Sequence, residues 1–273
     1  MSCKQRIGKR YWQPALVGLL AIVLLGSVTS SAWAGMILTH AGTNDPVAEG
    51  WLLGKSATAS GAASPDGLAW RLTVASGRAS YVITKDSEAS LWSAYQAALA
   101  STDGWTATAT AKLVSNPDLG NTGFTIYGGP NSEFWRMSLL DGNGSGPAGV
   151  YVYTKTGHMR WSEIDPTLAY HAYQMIYDPD YNPGGGEALG RTSFYMDGGL
   201  LGTLTHAQSV AGAASANYYA FGDFVSSDAS TSTHDWAFVE FRTGQHPIPE
   251  PATMVLLGSG LLALPCCARR RRK

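Results

Sequence analysis

In the stretch "SEIDPTL", Glu163 and Asp165 stand two residues apart, the spacing that turns both carboxyls to one face of a β-strand. Such a pair is the raw material of glycoside hydrolysis, where retaining enzymes hold two carboxyls about 5 Å apart. Further on, "DPDYNPGGGE" sets Asp178, Asp180 and Asn182 at alternate positions, hard oxygen donors of the kind calcium takes. An EF-hand loop would need Gly at its sixth position and a bidentate Glu at its twelfth, and Pro183 and Leu189 stand there instead. The stretch therefore reads first as a polar turn loop, and second as a looser calcium site of carboxylates and backbone carbonyls on Asp178 or Asp180. The six histidines show no H-x-x-x-H spacing, so no zinc site is expected. No phosphate-cradling loop and no nucleophile elbow occur either. Trp161 and Tyr181, beside polar turns, are the candidate sugar-stacking rings, because a pyranose face packs well on an exposed aromatic with a polar rim.

The elements that must carry these residues are strands. Short segments with period-two alternation recur at 67–76, 79–85, 105–114, 123–128, 133–141, 148–155, 158–164, 169–178, 191–198, 200–206, 217–224 and 234–243, with Gly, Asn, Asp and Pro in the gaps. Alternation sets Trp135, Met137 and Leu139 on one face against Phe134, Arg136 and Ser138. It likewise sets Trp236 and Phe238 against Ala237, Val239 and Phe241. One segment, "DSEASLWSAYQAALAS", has helical spacing at Leu91, Tyr95, Ala98 and Leu99, with Asp86 or Ser87 as its N-cap, and predicts a short helix across a sheet end. Many short strands at this spacing predict an all-β sandwich or jelly roll.

The two ends have a different composition. Residues 1–34 carry a basic start (Lys4, Arg6, Lys9, Arg10), an apolar run and the small residues Ala32 and Ala34, which predicts a secretory signal peptide cut by signal peptidase before Gly35. At the other end Pro249-Glu250-Pro251 precedes an apolar stretch and the cluster Arg269, Arg270, Arg271, Arg272 and Lys273. The prolines enforce an extended segment, the apolar stretch is just long enough to hold a bilayer core, and the cations keep its end cytoplasmic. This three-part order resembles the PEP-CTERM sorting signal. The resemblance implies recognition by an exosortase, removal of the tail, and delivery to the surface or extracellular matrix of a Gram-negative bacterium, with the C-terminal helix a transient hold in the inner membrane. The expected division is 1–34 signal peptide, 35–246 sandwich domain and 247–273 sorting signal. All three cysteines (Cys3, Cys266, Cys267) fall in the removable ends, so the domain has no disulfide. Nine of the 19 Lys/Arg lie in the two signals as well, and the chain from Gly35 to Pro251 keeps 10 Lys/Arg against 20 Asp/Glu, a net charge of −10 that argues against a nucleic-acid partner.

The order "GWTATATAKLV", "YHAYQMIYDPD", "TSFYMDGGLLGTL", "NYYAFGDFVSSDAST", "HDWAFVEFRTG" resembles the concanavalin A-like jelly roll of lectins, glucanases and laminin-G domains, in which an aromatic strand leads to an Asp-Gly hairpin such as Asp197-Gly198. Glycosidases of that fold carry Glu-x-Asp-x-x-Glu on one strand. Glu163 and Asp165 match the first two positions, but Leu168 holds the third and Pro166 interrupts the strand. The sequence therefore predicts a non-catalytic, exported, lectin-like sandwich, with polysaccharide its candidate ligand; a purely structural matrix protein and a divergent hydrolase are the alternatives.

Overall fold

Strand β6 (Trp105–Ser115) shows how the chain folds, because its run of alternating Thr and Ala has one reading. Ala107, Ala109 and Ala111 are fully buried while Thr108 and Thr110 turn outward. These small side chains leave room for large rings from the facing sheet. The computed structural model describes residues 35–55, 58–116, 122–128, 133–144, 146–185, 190–205, 210–211, 217–224 and 231–245. The chain divides into compact units at Met36/Ile37, and the strands described below lie almost wholly in the second.

Two antiparallel sheets form a jelly-roll sandwich. Sheet I runs β13 (Gly199–Thr205), β12 (Arg191–Met196), β11 (His171–Asp178), β6, β16 (Ser232–Thr243), β4 (Trp70–Val74), β3 (Ala59–Ala63), with β1 (Met36–Ala41) also on β16. Sheet II runs β10 (Gly157–Ser162), β9 (Gly149–Thr154), β8 (Glu133–Leu140), β7 (Thr122–Gly128), β15 (Tyr218–Asp223), β5 (Ala79–Ile83), β2 (Leu52–Lys55), with β14 (Val210–Ala211) also on β8. The core between them is aromatic. Trp105 meets Trp135 edge-on with centroids 5.4 Å apart, and Phe221 meets Trp236 at 5.1 Å. Offset and edge-on ring pairs of this kind add stability beyond the area they bury.

Each of the twelve expected strand segments contains a strand. Asp197 (φ 51°) and Gly198 (φ 81°) make the tight turn between β12 and β13. Two expectations are corrected. Trp236 shares the core with Val239 and Phe241 instead of facing away from them, because a β-bulge between Trp236 and Phe238 shifts the alternation by one residue. The helix α1 (Ala89–Leu99) is capped at Glu88, not at Asp86 or Ser87, and Ser87 instead accepts the Thr84 N–H at 3.0 Å. The helix closes one end of the sandwich: Tyr95, Ala98 and Leu99 are buried, and Trp92 packs against the core. Among the described residues no helix is long and apolar enough to cross a membrane; the apolar stretches of both termini lie outside them.

Candidate functional site

The outer face of sheet II contains a trough, and the strand sequences explain it. Inward positions of β5, β15 and β8 hold the core residues Tyr81, Ile83, Tyr219, Phe221, Trp135 and Met137, so the residues between them face out. On β2, β5 and β15 those outward residues are small: Gly54 and Ser80 are paired, as are Val82 and Ala220, and Gly222 stands opposite Ser80. Larger groups rise around them. A cavity of about 390 Å³ results, floored by Gly54, Ser80, Val82 and Ala220 and walled by Arg78, Arg136, Tyr218 and Phe224. That volume falls in the usual range of ligand pockets, roughly 300–1,000 Å³.

The wall is held firmly. The Arg136 guanidinium lies 4.7 Å from the Phe134 ring centroid and 4.6 Å from that of Phe224, a cation held by two aromatic faces. Burial pulls its pKa down to about 10, which leaves it charged at neutral pH. Tyr218 stacks on Tyr127 with centroids 5.1 Å apart and planes 11° from parallel. The Tyr95 hydroxyl of α1 donates to the Tyr218 carbonyl at 2.8 Å, and Asn217 donates to Gln96 at 2.8 Å, so the helix fixes the start of β15. Burial raises the Tyr218 phenol, so it stays protonated near neutrality, although Arg136 and Arg78 both pull the other way. From Tyr127 the rings continue through Phe134 (5.4 Å) and Tyr153 (5.5 Å) to His158 (4.6 Å), an aromatic row across β15, β7, β8, β9 and β10. Burial, and then the Arg136 charge, press the His158 pKa down to about 4. The imidazole is neutral at pH 7.

The expected site residues lie elsewhere. The Trp161 ring meets Phe194 edge-on at 5.3 Å and covers Gly202, where a Cβ would come within 2.9 Å of it. It is half-buried against the core. Tyr181 lies under the Arg191 guanidinium, 4.1 Å from ring centroid to Cζ. Trp161 packs on the inward side of β12 and Arg191 lies on its outward side, so the fold does not unite the two rings in one site. Asp178 pairs with Arg191 at 3.4 Å and accepts the Asp180 N–H at 3.2 Å, while Asp180 is exposed. Among the described residues no three His, Cys, Asp or Glu side chains converge on a metal position. Glu163 follows β10 in a loop with its side chain 90 % exposed, and Asp165 caps its own turn through the Thr167 N–H and hydroxyl. Ala32, Ala34 and residues 246–273, including Pro249, Glu250, Pro251 and Arg269 to Arg272, lie outside the described residues.

Comparison with known proteins gives two findings. Residues 247–273 match the PEP-CTERM protein-sorting motif. That motif implies an exported protein sorted to the bacterial cell surface through an exosortase. No match is found among curated proteins. Among solved structures the sandwich resembles the apo Crh5 transglycosylase, at TM-score 0.50 and 12% identity over 78% of this chain and 86% of that one. It also resembles an endo-β-1,4-glucuronan lyase from the fungus Trichoderma reesei (0.47, 10%, 76% and 94%). A third similar structure is domain 4 of AbnA, a GH43 extracellular arabinanase from Geobacillus stearothermophilus, in complex with arabinotriose (0.44, 13%, 78% and 95%). At these identities the likeness is one of fold. The likeness to the transglycosylase, together with the two antiparallel sheets, agrees with the concanavalin A-like jelly roll expected from the sequence.

Proposed function

We propose that this is an exported, non-catalytic glycan-binding protein of the cell surface or exopolysaccharide matrix of a Gram-negative bacterium. On this reading signal peptidase cuts between Ala34 and Gly35. The C-terminal apolar segment holds the chain in the inner membrane until an exosortase acts near Pro249-Glu250-Pro251. Export rests on the matched sorting motif. Glycan binding rests on one observation, the cleft of sheet II with Tyr218 and the clamped Arg136 on its wall. Its mixture of aromatic faces and polar edges suits a sugar, which offers C–H faces and hydroxyl rims. The non-catalytic part of the reading rests on the lining of that cleft, which among the described residues holds no carboxylate, whereas glycoside hydrolysis needs a pair of them.

Two measurements test the reading. Intact mass of the secreted protein should begin at Gly35 and end near the Pro-Glu-Pro segment; a product retaining Arg269 to Lys273 rejects processing. The purified domain should bind saturably on a glycan array without releasing sugar from a polysaccharide panel, and Tyr218→Ala should weaken binding several-fold. Failure to bind any glycan would favour a purely structural matrix role, and sugar release would reject the non-catalytic half.

A further inference from the structure

The outer faces of the two sheets differ in charge, and the difference points to a ligand class. On sheet I each outward acid meets a cation: Asp235 with Arg71 at 2.6 Å, Asp178 with Arg191 at 3.4 Å, and Glu240 with Arg242. That face is internally neutralised. On sheet II the outward positions of the described strands carry no acid at all. Residues 52 and 54, 80 and 82, 123, 125 and 127, 134 to 140 at even numbers, 151 and 153, 158 and 160, and 218 to 222 at even numbers include neither Asp nor Glu. The two carboxylates on these strands, Glu133 and Asp223, sit at the inward alternation and are buried, the latter accepting the Ser232 hydroxyl at 2.6 Å. Outward cations are present: Arg78, Arg136 and Arg160, the last shared with Glu163 at 3.5 Å. Between Gly35 and Pro251 twenty acids face ten bases, so a set of outward strand positions without acid, and with two of those ten bases walling one cavity, stands out against the composition.

We propose that the cleft of sheet II takes a carboxylate-bearing polysaccharide, one built of uronic acid residues, with Arg78 and Arg136 receiving the carboxylate and Tyr218 the ring face. The inference rests on the glycan-binding reading above and narrows it. A guanidinium offers several N–H donors in a planar fork that matches a carboxylate. Charge-assisted bonds of that kind are about twice as strong as neutral ones, so the carboxylate should be worth about tenfold in affinity. The two arginines divide the work. Arg136, fixed between Phe134 and Phe224, presents a pre-set edge, and Arg78, exposed at the rim, closes on the ligand. Asp223 acts on Arg136 from inside the sheet, so part of the Arg136 charge is compensated and Arg78 supplies the remainder.

The test uses oligouronates (from alginate, pectate and polyglucuronate) and the same oligomers after carboxyl reduction, titrated calorimetrically into the exported domain. At least one acidic oligomer should bind about tenfold more tightly than its reduced counterpart, and raising salt should erase most of the difference. Arg78→Gln should lose the preference with an unchanged melting temperature, since the residue is exposed, and Arg78→Lys should keep part of it. Equal binding of acidic and reduced oligomers overturns the uronate assignment and leaves glycan binding standing. Binding of neither overturns both. Inorganic polyphosphate binding as tightly as the oligouronates, and lost in Arg78→Gln, would make this a general anion site and also overturn the assignment.

Discussion

His234 is placed so that acid should unfold this domain, and the size of the effect follows from its surroundings. The imidazole is fully buried on β16, where Nδ1 accepts the Trp236 indole N–H at 2.5 Å and Nε2 finds no partner among the described residues. Accepting at Nδ1 fixes the neutral ring with its proton on Nε2. A second proton would break the indole bond and put a charge into the aromatic core. Burial accordingly presses the pKa down from 6.5 to about 3. A depressed folded-state pKa means that the unfolded chain binds the proton first. The stability this group contributes is complete above pH 6.5 and is lost as pH falls toward 3. Each unit within that window is worth about 1.4 kcal/mol, so moving from pH 6.5 to pH 4.5 should remove about 3 kcal/mol through this residue alone. Natural domains keep roughly 5–15 kcal/mol in total. The assay is urea unfolding at pH 7.5, 6 and 4.5 for the wild type and His234→Gln, which keeps a polar acceptor beside Trp236. His158, pressed down to about 4, and the carboxylates titrate in both proteins, so the difference between the two pH slopes isolates His234. The variant should be less stable at pH 7.5 yet lose about 3 kcal/mol less on acidification. Parallel slopes would refute the argument.

Two further outcomes follow from close contacts. Gly123 lies on β7 opposite Ser138 of β8, and a Cβ there would stand 2.0 Å from the Met137 carbonyl oxygen. A backbone atom cannot swing aside, so Gly123→Ala should cost about 1–3 kcal/mol and lower Tm in a thermal melt; an unchanged Tm would mean that β7 and β8 are not so closely apposed. For calcium, Asp178 already pairs with Arg191 at 3.4 Å, so EDTA should leave Tm unchanged, and a clear drop would mark Asp178 and Asp180 as ligands.

Sequence alternation found the strands that have one buried and one outward face, and it failed where that contrast is missing. β3, "ASGAA", is an edge strand with four of its five residues exposed, and β2, "LLGK", carries an exposed Leu53 and Gly54. Neither has a buried period to read. β1 hides its pattern differently. Its inward positions are Leu38 and His40, and His40 reads as polar although it is fully buried, bonded to Glu49 at 2.6 Å and to the Trp236 carbonyl at 3.0 Å. β14 has two residues, too few for any period. The bulge after Trp236 reversed the facing of one strand, because an inserted residue leaves no mark in composition.

The candidate site was harder to read for a related reason. A sequence search for chemistry looks for reactive residues close together along the chain, which drew it to Glu163 and Asp165 and to Asp178 and Asp180. Local turns and ion pairs already occupy Asp165 and Asp178. The cleft is assembled instead from β2, β5, β8 and β15, whose contributing residues run from Gly54 to Phe224. Part of the signal was present: alternation had already turned Phe134, Arg136 and Ser138 away from the core, and "NYYAFGDF" places Tyr218 and Ala220 opposite Tyr219 and Phe221. Each strand alone has only three or four outward positions, so a lack of acid in any one of them means nothing. Register makes it informative: once β2, β5, β15, β7, β8, β9 and β10 lie side by side, those gaps join into one run of outward strand positions without acid, on a chain whose stretch from Gly35 to Pro251 carries twice as many acids as bases. That surface also gives the small floor residues a reason to be small, since a bulkier side chain at Gly54, Ser80 or Ala220 would fill the trough without improving the core behind it.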